Sequence, residues 1–389
     1  MADAPEVRTR LVTDAAGLAE VVAELRDVAE YAVDTEFHRE KTYFAQLALV
    51  QLGWGTEIAL VDPLAVDIEP LAEILSGEGL AIMHACRQDL EVLERVCHVL
   101  PNRLVDTQLM AGFLGYTSPS LSSLLEREMG ITLPKADRLT DWLRRPLSDA
   151  QLSYAASDVL HLVELHSILA PRLVELGREV WFDQAMDEVL GETRGPRDPA
   201  EAWRRIKELR HLKGKDLGVA RAVSAWREEK AAELDLTPRF VLGDLGVVGV
   251  SVARPTTMDE LRQIRGVDGR SMRSGLATEL IDVVAEAVKN PPRSTGGPQA
   301  PELPAELRPA VPLVSAWATQ LARDLGIELA LLATRSDLES LLRGDPDARL
   351  SRGWRSELVG EPIRKLLAGE VALAFVRGGG LVLEERHQA

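Results

Sequence analysis

The sequence predicts an α/β domain built on a mixed sheet wrapped by helices, followed by two small all-α domains. Short β-rich apolar runs crowd the N-terminal part, and helical patterns then alternate with further strands. Breaks rich in proline, glycine and charge at 191–200 and 290–309 separate later stretches whose periodicity is helical.

Residues 31–37, 47–52 (LALVQL) and 57–61 (EIALV) read as strands joined by short turns, an antiparallel meander. Strands at 80–84 and 103–106 alternate with helical patterns at 87–97 and 107–114, which makes the sheet mixed. Ser148 stands three residues before Gln151, a capping-box signature after which PLSDAQLSYAASDVLHLVELHSILAPRL runs with helical periodicity and closes a first domain at 1–190. The stretch GETRGPRDPA and the linker NPPRSTGGPQAPELPAELRP, whose repeated prolines forbid continuous helix, bound a second domain at 200–290 and a third at 305–389. VSAW occurs at 223–226 and again at 314–317, followed by DELRQIRG and LESLLRG, so these two domains are expected to be copies of one helical module. VVGVSVARPTT (247–257) is read as a long loop and RGGGL (377–381) as a turn.

A chain of 389 residues with 46% hydrophobic content suits about two to three globular domains. No apolar run reaches the ~18 residues of a membrane span, and the start MADAPEVRTRLV lacks a signal-peptide apolar core, so the cytoplasm is the expected location. Cys86 and Cys97 are too few for a disulfide framework and lack metal-ligand spacing, which suits a reducing compartment and argues against structural zinc. A net charge of −16 opposes a polyanionic partner when averaged over the chain. Locally the balance reverses: residues 201–230 hold nine Lys or Arg against five Asp or Glu.

In AEYAVDTEFHREKTY, Asp34 and Glu36 stand two apart on a strand and share a face, with Val33 and Thr35 on the other. Two like charges aimed together call for a cation between them or a solvated face. Because the chain has 61 acidic residues, partners elsewhere must decide. Asp89 lies near the start of the helix after a strand, where the helix dipole alone would favour an acid. Tyr154 and Asp158 are four apart on one helix face, an arrangement that packing and solvation also produce. Four carboxylates with no His or Cys cluster make a hard-oxygen set suited to magnesium or manganese.

In order and spacing, VDTEF, HACRQD and YAASD resemble the three exonuclease motifs of the DEDD superfamily, and Tyr154 marks its tyrosine-containing branch. DTEFHREKTYFAQLALVQLG, VDTQLMAGFLG and LPKADRLTDWLRRPLSDAQLSYAASDV resemble ribonuclease D across nearly the whole first domain. AWRRIKELRHLKGKDLGVARAVSAWREEKA and TTMDELRQIRGVDGR resemble the helical HRDC domain; the third domain is HRDC-like by position and helical character. The resemblance implies a ribonuclease H-like exonuclease fold and two divalent ions, Mg2+ or Mn2+, held by Asp34, Glu36, Asp89 and Asp158. It also implies that Tyr154 orients the attacking water, and that the substrate is RNA with a free 3′ end, transfer RNA precursors in particular. A DNA 3′–5′ exonuclease and a catalytically silent RNA-binding adaptor are the alternatives; four converging carboxylates argue against the silent one.

Beyond this set, His84 is expected to be structural at a strand end and Asp106 to cap the helix that follows it. Lys135, Arg138, Arg144 and Arg145 are candidates to meet phosphates near the active face, with a solvated surface as the alternative. Phe37 and Tyr43 either stack on a terminal base or fill the core. Lys207, Arg210, Lys213, Lys215 and Arg221 suit phosphate-backbone contact without base reading. RGVDGR either offers amides to phosphate or is a turn that needs its glycines.

Overall fold

The computed structural model describes residues 7–133, 140–269, 275–290 and 303–386. Packing divides the chain into two units, one of residues 1–36, 47–193 and 301–389, the other of 37–46 and 194–300.

The first unit is organised by a six-stranded sheet in the order β1-β4-β3-β2-β5-β6. Its strands are β1 (Arg8–Val12), β2 (Glu30–His38), β3 (Gln46–Trp54), β4 (Glu57–Val61), β5 (Leu80–Met83) and β6 (Leu104–Asp106). β1 runs parallel to β4, β4 antiparallel to β3, and β5 parallel to both β2 and β6, which is the mixed sheet expected. Around it lie α1 (Ala15–Leu25), the short α2 (Ala72–Leu75), α3 (Arg87–Cys97), α4 (Thr107–Phe113), α5 (Leu121–Met129), α6 (Asp149–Leu160), α7 (Leu162–Glu175) and α8 (Glu179–Leu190). Every residue of β3 after Gln46 is buried, as a central strand covered on both faces requires. The sequence did not announce β1 or α1. In RTRLV two arginines interrupt the apolar pattern of an edge strand, yet α1 buries Leu18, Val21, Val22 and Leu25 at helical spacing. The capping box at Ser148 and Gln151 is present, and the helical stretch after it divides at His161 into α6 and α7.

The helical unit comprises α9 (Gly214–Glu233), α10 (Pro238–Val241), α11 (Asp244–Ala253), α12 (Met258–Arg262) and α13 (Leu276–Lys289) around a core that includes Val219, Val223, Trp226, Leu261 and Leu280. α11 corrects the expected loop. Its valines suggest strand or loop by propensity, but burial of Val247 and Val250 makes the helix. Gly266 explains RGVDGR as a turn: a Cβ there would lie 2.5 Å from the Gly246 backbone nitrogen of α11. Residues 37–46, directly after the Asp-Thr-Glu strand, also belong to this unit. Asp235 Oδ1 accepts the backbone N–H groups of Tyr43 (3.1 Å) and Phe44 (3.0 Å), and Thr237 N–H donates to the Lys41 carbonyl (3.1 Å). The Tyr43 hydroxyl donates to buried Glu228 (2.8 Å), which also pairs with Arg205 (2.9 Å).

The segment expected as a third domain holds α14 (Ala310–Leu325), α15 (Leu329–Leu332), α16 (Arg335–Leu342), α17 (Gly353–Arg355) and α18 (Glu361–Leu367). It then departs from an all-helical form, ending in an antiparallel hairpin of β7 (Val371–Phe375) and β8 (Leu381–Glu385) with the expected turn at RGGGL. The VSAW echo holds locally: Val223 and Trp226 are buried in α9, as Val314 and Trp317 are in α14. This segment packs within the sheet-bearing unit. Arg178 donates to the carbonyls of Phe113 and Leu325 and, at 3.2 Å, of Gly326. Arg355, 2% exposed, donates to Leu331 O (2.8 Å) and Glu188 (2.6 Å), while neighbouring Trp354 stacks on Trp181 at 5.1 Å between centroids.

Candidate active site

The site lies where β2 outruns its parallel partner. Pairing of β2 with β5 runs from Glu30↔Leu80 to Ala32↔Ile82, so Asp34 and Glu36 sit toward the C-terminal ends of two parallel strands, where α/β sheets open crevices. α6 reaches the same place by lying close on β3. A Cβ on Gly53 would come within 3.2 Å of the Val159 carbonyl, so the bare glycine eases the close approach that brings Asp158 in. One carboxylate oxygen from each of Asp34, Glu36 and Asp158 falls within 4.8 Å of the others.

Asp89 stands in the first turn of α3, and the entry to that helix is fixed by Asp106. The Asp106 carboxylate caps α4, as expected, by accepting the N–H groups of Gln108 (2.8 Å) and Leu109 (3.2 Å). It also accepts those of Ala85 (2.9 Å) and Cys86 (3.0 Å), clamping the turn that leads into α3, where Ala85 takes a left-handed φ of 59°. His84 is structural as expected, its ring nitrogens meeting Thr107 Oγ1 (2.9 Å) and the Pro119 carbonyl (3.1 Å).

The electrostatics are those of crowded acids. Burial, then the charges of Asp89, Asp158 and Glu36, hold the Asp34 carboxyl well above the usual range. Burial and the charges of Asp158 and Asp89 push Glu36 up to about 8. Burial lifts Asp89 to about 6 against an opposing hydrogen bond from Thr35. Burial and these same acids, Asp158 first among them, raise the phenol of Tyr154, whose ring lies 6.0 Å from that of Trp142. Three acid oxygens close enough to share one coordination sphere, with no His or Cys among them, fit a hard divalent cation.

A stability signature follows. In EDTA the folded protein keeps protons on these acids that the unfolded chain releases, so the stability this gives is complete below the ordinary Glu value of 4.5 and lost as pH rises through about 8. Calorimetry in EDTA should show the melting temperature falling between about pH 5 and 8, by roughly 2–4 °C for each kcal/mol lost. Excess Mn2+ should flatten the fall, and a pH-independent melting temperature in EDTA would contradict the reading.

The remaining candidates separate by what they touch. Arg145 is corrected: all five of its N–H donors are used, by Asp62, Ala48 O, Trp142 O and Arg144 O, leaving none for a phosphate. Its bidentate partner Asp62 makes it a structural clamp. Arg144 is exposed, and Lys135 and Arg138 lie outside the described residues. Tyr43 is half-buried, packed against the helical unit's core with its hydroxyl on Glu228. Lys207, Arg210, Lys213 and Lys215 are exposed, whereas Arg221 lies half-buried with its guanidinium 4.7 Å from the Trp203 ring centroid. Sequence reasoning missed Thr35, whose hydroxyl meets Asp89.

Comparison with known proteins agrees with the fold and the domain order. A family model described as 3′-5′ exonuclease matches residues 9–174, and one described as HRDC domain matches residues 216–284. The chain is 34% identical over 373 residues to Ribonuclease D of Nitrobacter hamburgensis, spanning 95% of this chain and 97% of that protein. It is 35% identical over 351 residues to Ribonuclease D of Jannaschia sp., spanning 88% and 91%. The crystal structure of Escherichia coli RNase D, an exoribonuclease involved in structured RNA processing, superposes with a TM-score of 0.83 at 31% identity, covering 93% of this chain and 99% of that one.

Proposed function

The chain belongs to the ribonuclease D family, and from that premise we propose that it shortens RNA from the 3′ end by metal-dependent hydrolysis at Asp34, Glu36, Asp89 and Asp158. The observation that carries the reading is the convergence of Asp34, Glu36 and Asp158 oxygens within 4.8 Å, with Tyr154 one helical turn before the last of them on α6. Asp34, Glu36 and Asp158 would hold one cation, and Asp89, whose charge weighs on Asp34 more than that of any other residue, is available to a second. Mg2+ or Mn2+ suits this donor set. When bound, such ions lower the pKa of water and offset charge on the attacked phosphate and the departing oxygen.

The chain's own groups supply orientation. Tyr154, one helical turn from Asp158 and with its ring beside Trp142, holds the attacking water in line and limits where its proton goes. A bond forms from water oxygen to phosphorus, the bond to the 3′ oxygen of the shortened chain breaks, and a nucleoside 5′-monophosphate leaves. Exposed Lys207, Arg210, Lys213 and Lys215, with Arg144, are suited to phosphate contacts that carry no sequence information.

Transfer RNA precursors are the substrates we favour, on the strength of the family. No helix among the described residues is long and apolar enough to cross a membrane, and both cysteines are buried and free, which supports action in the reducing cytoplasm. The test is digestion of matched RNA and DNA oligonucleotides by the full chain in Mn2+ and in excess EDTA. Stepwise 3′ shortening of RNA that stops in EDTA is expected. Cleavage that persists in EDTA would sink the metal mechanism, and faster digestion of DNA would overturn the RNA assignment.

A further inference from the structure

Thr35 stands between Asp34 and Glu36 yet faces the other side of the strand, and the reading of the site so far leaves it without work. It is 6% exposed, and its Oγ1 donates to Asp89 Oδ1 at 2.5 Å. We propose that Thr35 is a positioning residue for the metal centre: its hydroxyl fixes the rotation of the Asp89 carboxylate beside Asp34, so that a cation meets an acid already in place. The proposal rests on the metal-centre reading above.

Asp89 is 7% exposed and adjoins acids that repel it, so a carboxylate free about its side-chain torsions would turn away from them whenever no cation is bound. A short hydrogen bond from a rigid, β-branched strand residue opposes that turn. The helix carrying Asp89 does not depend on Thr35 for its place, because Asp106 holds Ala85 and Cys86 at its entrance while capping α4. Removing the hydroxyl therefore releases the side chain and leaves the backbone seated. The triplet thus works on both faces, with two acids toward the cation and the residue between them steering a third.

The test is calorimetric titration of Mn2+ into the full-length protein, comparing wild type with Thr35→Val and Thr35→Ser. Valine keeps the shape and strand preference of threonine and removes only the donor. Its affinity for one of the bound Mn2+ ions should fall by about 10–100-fold, the usual effect of losing a partner that orients a metal ligand, with the other ion unaffected. Serine, which keeps the hydroxyl, should restore binding. Wild-type affinity in Thr35→Val overturns the proposal, as does equal weakening by Ser and Val, which would assign the effect to methyl packing. Loss of both ions together with a lowered melting temperature also overturns it, because the hydroxyl would then be holding the fold. Failure of the wild type itself to bind Mn2+ removes the metal-centre reading on which the proposal rests.

Discussion

Asp34→Asn is expected to lower turnover of a single-stranded RNA in saturating Mn2+ by about 10³-fold or more. Asp34 is the most constrained acid of the site, since the charges of Asp89, Asp158 and Glu36 all bear on it and one of its oxygens belongs to the three-residue cluster. Asparagine matches its shape, removes its charge and replaces an acceptor oxygen with an NH2 group that repels a cation. A divalent ion contributes several kcal/mol of transition-state charge stabilisation, and each ~1.4 kcal/mol lost is about tenfold in rate, which sets the size of the effect. The same change should act in the opposite direction on the metal-free fold. It removes one member of a buried, self-repelling group of acids, so the melting temperature in EDTA near pH 8 should equal or exceed that of wild type. Activity lost while stability is kept or gained marks a functional acid. A variant that turns over within tenfold of wild type, or that loses activity and melting temperature together, would contradict the assignment.

What was legible in the sequence follows from what local periodicity encodes. Period-two spacing placed Asp34 and Glu36 on one face, four-residue spacing placed Tyr154 and Asp158 on another, and the structure brings the acids together. The capping box at Ser148 and the cap at Asp106 were legible because each is satisfied within three residues of itself. Contacts between distant segments were not. Arg145 reads as one of several surface cations until Asp62, 83 residues away, is seen to grip it. Thr35 has the face that period two predicts, but nothing local says that Asp89 waits there. The valines of α11 pull propensity away from helix while tertiary burial overrides them, and Tyr43 looks like an aromatic free for a base until α9 supplies Glu228. At the C-terminus, the glycine turn was visible, but VALAF before it is a short apolar run that periodicity alone does not tell from helix.

Tyr154→Phe separates water positioning from packing. Burial together with the charges of Asp158, Glu36 and Asp34 keeps the phenol protonated at any working pH, so its role is to orient a water and share its proton; it is not itself ionised. Phenylalanine keeps the ring beside Trp142 and adds no charge, so the fold and the affinity for Mn2+ should barely change. Turnover at saturating RNA should drop on the order of 10²–10⁴, the range for one positioned acid-base group, while RNA affinity stays near wild type because the hydroxyl faces the acids and the water. If the residue served only to pack, the pattern would invert, with Phe silent in turnover and Tyr154→Ala lowering the melting temperature. Single-turnover rates of both variants, measured beside their melting temperatures, distinguish the two cases. A Phe variant as fast as wild type would remove Tyr154 from the catalytic group and leave water orientation to the carboxylates and their cations.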